Sequence, residues 1–198
     1  MFVTETYDIE DCIRYDDAQT DKHLDYSTFL ANPNNAYVSW NSDYKEYKIN
    51  YSRTPESNPV ILQLDEVTLS DFEISVDIWY TASTTKQWTF RLVENSSDIW
   101  TNHSECGTWS SSKIFRNTVN GTNSQSNPSG AMPTSAWIRC KFVKQNGTLT
   151  ISATNLSTSS SIGTYSSSAW SITNILPVIY LSEYINSFVF KRLKIKAL

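Results

Sequence analysis

The fold is constrained most by one stretch in which apolar and polar side chains alternate, residues 71–80, which read DFEISVDIWY. Its apolar positions share one face of an extended chain: Phe72, Ile74, Val76, Ile78 and Tyr80. The other face holds Glu73, Ser75, Asp77 and, as the exception to the alternation, Trp79. A period of two is typical of a β-strand with one face on a core and the other toward water. We therefore predict a strand here, with Val76 buried and with Glu73 and Asp77 exposed on the opposite face.

Composition limits the classes of protein to which this chain can belong. Its 198 residues suffice for one well-filled core, and we expect residues 1–198 to form a single domain. The net charge of -4 argues against a nucleic-acid partner. The start of the chain lacks the basic and apolar regions of a signal peptide, and no apolar run reaches the roughly 20 residues of a membrane span. We expect no membrane insertion, and either export by another route or a place in a longer protein.

Strand-like segments recur along the chain, and no segment shows a long amphipathic helical period. The predicted strands are 37–40, 44–51, 60–64, 72–80, 87–94, 137–144, 148–153, 178–184 and 187–197. Asn146-Gly147 is the strongest turn signal because both residues tolerate positive φ, and it should join the strand ending near Lys144 to the one beginning at Thr148. Many short strands without helices favour an all-β sandwich.

Two polar stretches look like loops. Residues 117–136 contain Asn-Gly, Asn-Pro, Ser-Gly and Met-Pro pairs, which favour a long surface loop. Residues 154–168 are rich in Ser and Thr, although Ile162 and Tyr165 could anchor a weak strand. We interpret neither stretch as an interdomain linker, because strands needed to complete the sheets lie on both sides.

Three cysteines, Cys12, Cys106 and Cys140, give an odd count without metal-ligand spacing. Cys140 shares a face with Ile138 and Phe142, which predicts a small buried residue. A bond between Cys12 and Cys106 would require the fold to bring them together. We expect three free thiols, consistent with assembly in a reducing cytoplasm before release or display.

Five pieces of the chain occur in a familiar order: Tyr15-Asp16-Asp17, the strand at 71–77, the segment 88–92, the pair 137–141 and 148–151 joined through Asn146-Gly147, and a closing 188–195. This order resembles the concanavalin A-like lectin/glucanase superfamily, particularly its laminin G-like jelly-roll modules. The resemblance covers most of the chain and consists of strand patterns. It implies two curved antiparallel sheets, adjacent first and last strands, and a ligand on the concave sheet or the rim loops.

Enzymes of that superfamily have paired carboxylates in the pattern Glu-x-Asp-x-x-Glu, which this chain lacks. The nearest segment places Asp71, Glu73 and Asp77 on one face, which is compatible with general acid–base chemistry, but surface carboxylates are the preferred interpretation. His23 and His103 are too isolated for a hydrolase triad, and His103 is expected to be exposed in a polar loop. We therefore predict no catalytic residues and no enzymatic activity.

No cofactor is expected, with structural calcium as the alternative. The cluster Asp16, Asp17, Asp21 and Asp25 could offer oxygen ligands to that ion. It lacks the loop order of an EF-hand, and carboxylates at turns or helix caps are the preferred interpretation.

Aromatic side chains are the candidates for ligand binding. Trp79 lies beside Asp77 on the polar face, and an indole can stack on a sugar ring while a carboxylate accepts hydroxyl hydrogen bonds. The equal alternative is an ordinary sheet in which a loop folds over this face and covers Trp79. Arg91 would project from the same face of the neighbouring strand, provided that the two strands pair. Trp100 and Trp109 lie in the polar segment 95–112, where each either closes the end of the sandwich or faces a ligand. The predicted site is Asp77, Trp79 and Arg91, extended by Trp100 or Trp109.

These features together predict a non-catalytic module that binds a cell-surface glycan. The surface rich in Ser, Thr and Asn favours a prokaryotic adhesin or a phage tail or capsid appendage, and hence an extracellular, cell-surface or virion location. The main alternative is a structural domain whose exposed aromatic residues pack against sibling chains in a homo-oligomer or against neighbouring domains of a longer chain. A glycoside hydrolase or lyase is the third candidate.

Overall fold

The computed structural model describes residues 12–15, 26–32, 35–50, 59–64, 66–82, 87–97, 99–109, 112–128, 131–170, 174–182 and 185–198. For residues 12–15 and Asn186 the description is of the backbone alone. Strands and turns make up these ranges, with no helix among them. The same ranges accordingly contain no helical segment with the length and apolarity needed to cross a bilayer.

Sixteen strands follow one another along the described chain. The first eight are β1 (Cys12–Tyr15), β2 (Phe29–Ala31), β3 (Tyr37–Asn41), β4 (Glu46–Asn50), β5 (Val60–Gln63), β6 (Val67–Thr68), β7 (Phe72–Ala82) and β8 (Gln87–Val93). The others are β9 (His103–Trp109), β10 (Ser112–Val119), β11 (Thr122–Ser126), β12 (Ile138–Gln145), β13 (Thr148–Asn155), β14 (Ser160–Ser167), β15 (Asn174–Ser182) and β16 (Ile185–Ala197).

The strands form two antiparallel sheets that pack face to face. Sheet A has the order β14-β13-β12-β7-β16-β4-β3, with β1 paired to β16. Sheet B has the order β11-β10-β9-β8-β15-β5-β2, with β6 paired to β15. The first described strand therefore lies beside the last, and the predicted all-β jelly-roll sandwich is confirmed. Consecutive strands β7 and β8 belong to different sheets, which decides where the predicted site residues lie.

The core fills the space between the two sheets and follows from the alternation in the sequence. The apolar face of β7 is fully buried there, as predicted: Phe72, Ile74, Val76, Ile78 and Tyr80. The inward face of β8 is also fully buried: Trp88, Phe90 and Leu92. Aromatic contacts join the sheets, since the ring centroids of Tyr80 and Trp88 are 5.1 Å apart and those of Phe90 and Phe142 are 5.5 Å apart.

Two Asn-Gly pairs form the tight hairpins of the fold. Asn146 and Gly147 have φ values of 51° and 77° and join β12 to β13, which confirms the predicted turn. Asn120 and Gly121 have φ values of 50° and 75° and join β10 to β11. The expectation of a long loop over 117–136 is therefore wrong in its first part, because the second Asn-Gly pair turns the chain back into a hairpin.

Strands β9, β10 and β14 have few apolar residues, and this is why the sequence indicated polar segments in their place. Strand β9 reads HSECGTW, and each of its residues except Trp109 is buried by pairing with β8 and β10. Strand β14 lies at the edge of sheet A, where Ile162 and Tyr165 pack against the core as the weak anchors that were expected.

A second apolar cluster lies on the outer face of sheet B. Its buried members are Ile61, Val93, Ile99, Leu176, Val178 and Tyr180. Ile99 belongs to the connection between β8 and β9, so this connection folds back over the outer face instead of extending into solvent. Both faces of sheet B are therefore apolar in part, whereas the outer face of sheet A consists mainly of charged and polar side chains around Trp79 and Val189.

We expect Val76→Asp to prevent folding into soluble protein. Val76 is fully buried, and an unpaired carboxylate at this position costs more than about 4 kcal/mol. The measurement is the soluble yield and the far-UV circular dichroism of the purified variant.

Ser75→Asp is the matched control, since it introduces the same charge one residue earlier on the outer face. There, Ser75 pairs in register with Lys141 and Lys194. This control should be soluble and folded. A folded Val76→Asp variant with the stability of the parent would contradict the packing described for β7.

Candidate functional site

A buried carboxylate on the outer face of sheet B organises the candidate site. Glu105 of β9 lies directly opposite Arg91 of β8 and Arg116 of β10 in the strand register. The Nε of Arg91 lies 2.8 Å from Oε2 of Glu105, and Arg116 forms an ion pair with Oε1. Antiparallel pairing places such opposed side chains about 5 Å apart at Cβ, so the register alone brings the three charges together.

The environment of Glu105 favours its ionised form. Burial raises the pKa of this carboxyl, but the charge of Arg91, with smaller effects of His103 and Arg116, outweighs burial and lowers the pKa to about 2. The side chains of Arg91 and Glu105 are both fully buried, whereas that of Arg116 is 13% exposed. Two cations for one buried anion leave a net positive charge beneath the surface of sheet B.

Aromatic rings cover Arg91 from two sides. Its Cζ lies 4.3 Å from the ring centroid of Trp100 and 4.3 Å from that of Tyr180. Its Nε also donates a hydrogen bond to the hydroxyl of Thr89 at 2.8 Å. Burial lowers the pKa of Arg91, and the charge of Glu105 opposes this effect. The guanidinium stays charged in all ordinary conditions, and the rings provide it with cation–π contacts in place of water.

Trp100 and Trp109 form an exposed aromatic surface above these charges, which we name the indole surface. Trp100 is 45% exposed and Trp109 is 39% exposed, and their ring centroids are 6.4 Å apart at an interplanar angle of 88°. Cζ of Arg116 lies 5.4 Å from the centroid of Trp109. Each indole therefore has one side on a guanidinium and another side available to solvent.

The segment that holds Trp100 is fixed at several points. Nδ1 of His103 donates a hydrogen bond to the carbonyl oxygen of Trp100 at 3.0 Å, and its Nε2 lies 3.3 Å from the hydroxyl of Thr118. Asn102 accepts a hydrogen bond from the amide of Asn120 at 2.8 Å. The prediction that His103 is exposed in a loop is wrong, because it begins β9 and is 2% exposed.

The close approach of β8 and β9 requires a glycine in this region. A Cβ at Gly107 would lie 2.2 Å from the carbonyl oxygen of Trp88, which no real side chain tolerates. Gly107 lies between Glu105 and Trp109 on the outward side of β9, so this side bears no side chain between the buried carboxylate and the exposed indole.

The outer face of sheet A has a different chemistry, an array of ion pairs. Asp77 accepts hydrogen bonds from Arg139 at 2.7 Å and 3.1 Å and from Arg192 at 3.3 Å. These two arginines cover it completely, so the prediction that Asp77 lies exposed is wrong. Arg192 has a φ of 54° within a bulge of β16, and the extra residue directs it toward Asp77.

Glu73 lies four residues before Asp77 on the same face of β7 and is also held by two cations. Lys141 and Lys194 lie 2.8 Å and 2.9 Å from its carboxylate oxygens. Burial raises the pKa of Glu73, but the hydrogen bonds and charges of the two lysines outweigh burial and the net pKa is lowered. Both of these carboxylates of β7 are therefore neutralised by cations of the adjacent strands β12 and β16.

The five predicted site residues divide between the two sheets. Asp77 and half-buried Trp79 lie on the outer face of sheet A, and Arg91 lies on the outer face of sheet B. The predicted constellation of Asp77, Trp79 and Arg91 is wrong, because it required β7 and β8 to pair. Arg91, Trp100 and Trp109 do lie together.

The sequence prediction missed Glu105, Arg116 and Tyr180. The sequence does contain a pattern that indicates Glu105: His103, Glu105, Gly107 and Trp109 occupy alternate positions and would share one face of a strand. The polar residues between them concealed it.

The described residues contain no candidate metal site. They contain no group of three or more His, Cys, Asp or Glu side chains arranged to hold a metal ion. The predicted calcium cluster of Asp16, Asp17, Asp21 and Asp25 lies outside the described residues.

Comparison with known proteins shows a likeness of fold. Neither a family model nor a curated protein matches the chain. Among solved structures it is similar to lectin II from Ulex europaeus, with a TM-score of 0.63 and 9% identity over 94% of this chain and 100% of that chain. It is also similar to the carbohydrate binding module CBM66 from Bacillus subtilis, with a TM-score of 0.57 and 8% identity over 88% of this chain and 98% of that one.

A third similar structure is larger than this chain. Xyloglucan PUL GH43B from Bacteroides ovatus has a TM-score of 0.61 and 12% identity over 93% of this chain but 39% of its own. Identities this low establish the fold alone, a lectin-like β-sandwich.

We expect Glu105→Gln to lower stability at neutral pH by about 3 kcal/mol, because each pKa unit corresponds to about 1.4 kcal/mol. The folded pKa of about 2 lies below the ordinary value of 4.5. The stabilisation is therefore present above pH 4.5 and is lost as the pH falls toward 2. Thermal unfolding of parent and variant from pH 7 to pH 2.5 measures the difference, which should narrow across that window.

Glu66→Gln serves as the control for loss of one carboxylate charge. Glu66 is exposed and accepts a hydrogen bond from Asn174, which a glutamine oxygen can also accept. The melting temperature of the Glu66→Gln variant should match that of the parent at every pH from 7 to 2.5. A Glu105→Gln deficit that stayed constant with pH would show that the variant loses packing and not charge stabilisation.

Proposed function

We propose that this chain is a non-catalytic module that binds carbohydrate through the indole surface of sheet B. One observation carries the proposal: Trp100 and Trp109 present two half-exposed indoles at right angles, Trp100 on the buried guanidinium of Arg91 and Trp109 on the largely buried guanidinium of Arg116. Apolar ring faces fit the C–H faces of sugars, and a surface fixed before binding loses little entropy when the ligand arrives.

The comparisons support the carbohydrate class of ligand. Two proteins with a similar fold are named as a lectin and as a carbohydrate binding module, and each matches nearly the whole of this chain. A cell-surface glycan is the proposed ligand, and a prokaryotic adhesin or a phage tail or capsid appendage is the proposed setting. The setting rests on the surface rich in Ser, Thr and Asn, and it implies an extracellular, cell-surface or virion location.

The states of Glu73, Asp77 and Glu105 support a binding role over hydrolysis, although burial raises the pKa of Glu46 on β4. Glycoside hydrolysis needs one carboxylic acid with a raised pKa and one free carboxylate. Glu73 and Asp77 are each held by two cations, and the pKa values of Glu73 and Glu105 are lowered. These groups are suited to structural ion pairing.

We expect Trp109→Ala to weaken glycan binding by about tenfold or more, since the lost apolar contact exceeds the net value of a typical sugar hydrogen bond, about 0.5–1.5 kcal/mol. A glycan array selects a ligand for the parent protein, and titration calorimetry measures the affinities. The melting temperature should change little, because Trp109 lies at the end of β9 and is 39% exposed.

Two further variants serve as controls. Tyr44→Ala removes an aromatic ring that is 70% exposed on the turn between β3 and β4, and it should leave binding unchanged. Trp79→Ala tests the outer face of sheet A. Loss of binding in Trp79→Ala with unchanged binding in Trp109→Ala would place the site on sheet A and refute the indole surface.

The rival function, assembly with sibling chains, makes a different prediction for the same variants. If the indoles pack against another copy, the parent protein should be oligomeric by light scattering and Trp109→Ala monomeric, with no array signal. A monomeric parent that binds a glycan would exclude this role for the indole surface.

We expect no release of reducing sugar from β-glucans or peptidoglycan-type polymers. The assay compares the parent with Glu73→Gln and Asp77→Asn at equal protein concentration. Turnover by the parent that disappears in either variant would contradict the non-catalytic assignment, and turnover that co-purifies with the protein and is retained in both would contradict it as well, with other residues as its source.

A further inference from the structure

Two cysteines face each other across the core, one from each sheet. Cys106 lies on the inner face of β9 and Cys140 on the inner face of β12, and their Sγ atoms are 3.3 Å apart. Both side chains are fully buried and carry no disulfide. The predicted burial of Cys140 is confirmed, but its neighbour is a second thiol.

We propose that Cys106 and Cys140 are an oxidisable pair that forms an inter-sheet disulfide when the protein folds in an oxidising environment. The sulfur atoms need to approach by little more than 1 Å to reach the bond length of about 2 Å. Cys106 is opposite Phe90 in the register of sheet B, and Cys140 is opposite Val76 in sheet A. The bond would therefore join β9 to β12 at the centre of the sandwich.

The chemistry is thiol–disulfide exchange with a disulfide donor such as oxidised glutathione. One cysteine thiolate attacks the donor, forms a mixed disulfide and releases one glutathione thiol. The second cysteine then attacks the mixed disulfide and releases the second glutathione thiol. Two protein thiols are oxidised by two electrons, and the donor disulfide is reduced to two thiols.

Burial determines when this exchange takes place. Desolvation raises the pKa of the Cys106 thiol well above its ordinary value, and the neighbouring Cys140 raises it further. A buried neutral thiol is a poor nucleophile, and no external disulfide reaches it between packed sheets. The bond should therefore form during folding, before the core closes, and should then resist reduction in the native state.

The test uses a Cys12→Ser parent, so that only the two core thiols remain. The unfolded protein is refolded with a mixture of oxidised and reduced glutathione, or with reductant alone, and both products are analysed by mass spectrometry. The oxidised product should be lighter by about 2 Da and should have no alkylatable thiol after denaturation. Trypsin cleavage after Arg91, Lys113, Arg139 and Lys141 places the two cysteines on separate peptides that only the disulfide joins.

The oxidised product should also melt higher than the reduced one, by roughly 5–10 °C, because the bond closes a loop of about 34 residues. Native reduced protein given the same glutathione mixture should react far more slowly than refolding protein. Cys140→Ala in the same parent is the matched control, and its melting temperature should be the same after oxidising and reducing refolding. Export to a bacterial periplasm gives a second route to oxidised protein without refolding.

Three results would overturn the proposal. The first is an oxidised-refolded protein with native circular dichroism and two alkylatable thiols. The second is failure of the parent to fold under oxidising conditions in which Cys140→Ala folds, because the bond would then be incompatible with the native packing. The third is a periplasmic product with both thiols free. None of these results depends on whether the indole surface binds carbohydrate.

Discussion

The buried carboxylate of Glu105 is the interaction on which the outer face of sheet B depends. A charge in this position is tolerated only because guanidinium groups from both adjacent strands neutralise it. Arg91 is buried together with Glu105, so its charge is also removed from water and needs other contacts. Trp100 and Tyr180 provide those contacts, so the connection between β8 and β9 is held against the sheet by the same charge that joins the strands. The positions of the exposed indoles therefore follow from the guanidinium groups that they cover, Trp100 over Arg91 and Trp109 over Arg116.

The two outer faces of the sandwich neutralise their carboxylates in different ways. On sheet A each carboxylate of β7 meets two long cationic side chains from the adjacent strands, and the result is an array of ion pairs. On sheet B a single carboxylate serves two arginines, and aromatic rings complete the enclosure. The second arrangement leaves apolar ring faces directed at solvent, which favours sheet B as the surface for an uncharged, hydroxyl-rich ligand.

The fold was predictable from sequence wherever one face of a strand is apolar and the other is polar, as in β7 and β12. That pattern fails for β9 and β14, whose Ser, Thr, Cys and Gly residues give no apolar alternation, although pairing with the strands next to them in the chain buries or orders them. The residues of the candidate site could not be predicted from the alternation of apolar and polar residues alone. Asp77 and Arg91 are close in sequence, but the chain changes sheets between them, and no local signal distinguishes such a crossing from a hairpin. Trp100 and Trp109 were identified because bulky indoles in a polar segment are unusual in any fold.

Strand β9 connects the features of the molecule that bear on function. Its outward residues are the buried carboxylate and an exposed indole, Glu105 and Trp109, and its inward residue Cys106 faces the other sheet. The carbohydrate contact proposed for the indole surface involves two rings only, so the proposed function predicts a modest affinity for one copy, which display of several copies would raise through avidity. The two rings are held differently. Trp109 lies at the end of β9, a strand fixed by ion pairs on its outer side and by core packing on its inner side. Trp100 cannot leave its place without exposing the buried charge of Arg91, so the charge beneath it keeps this ring in position before a ligand arrives.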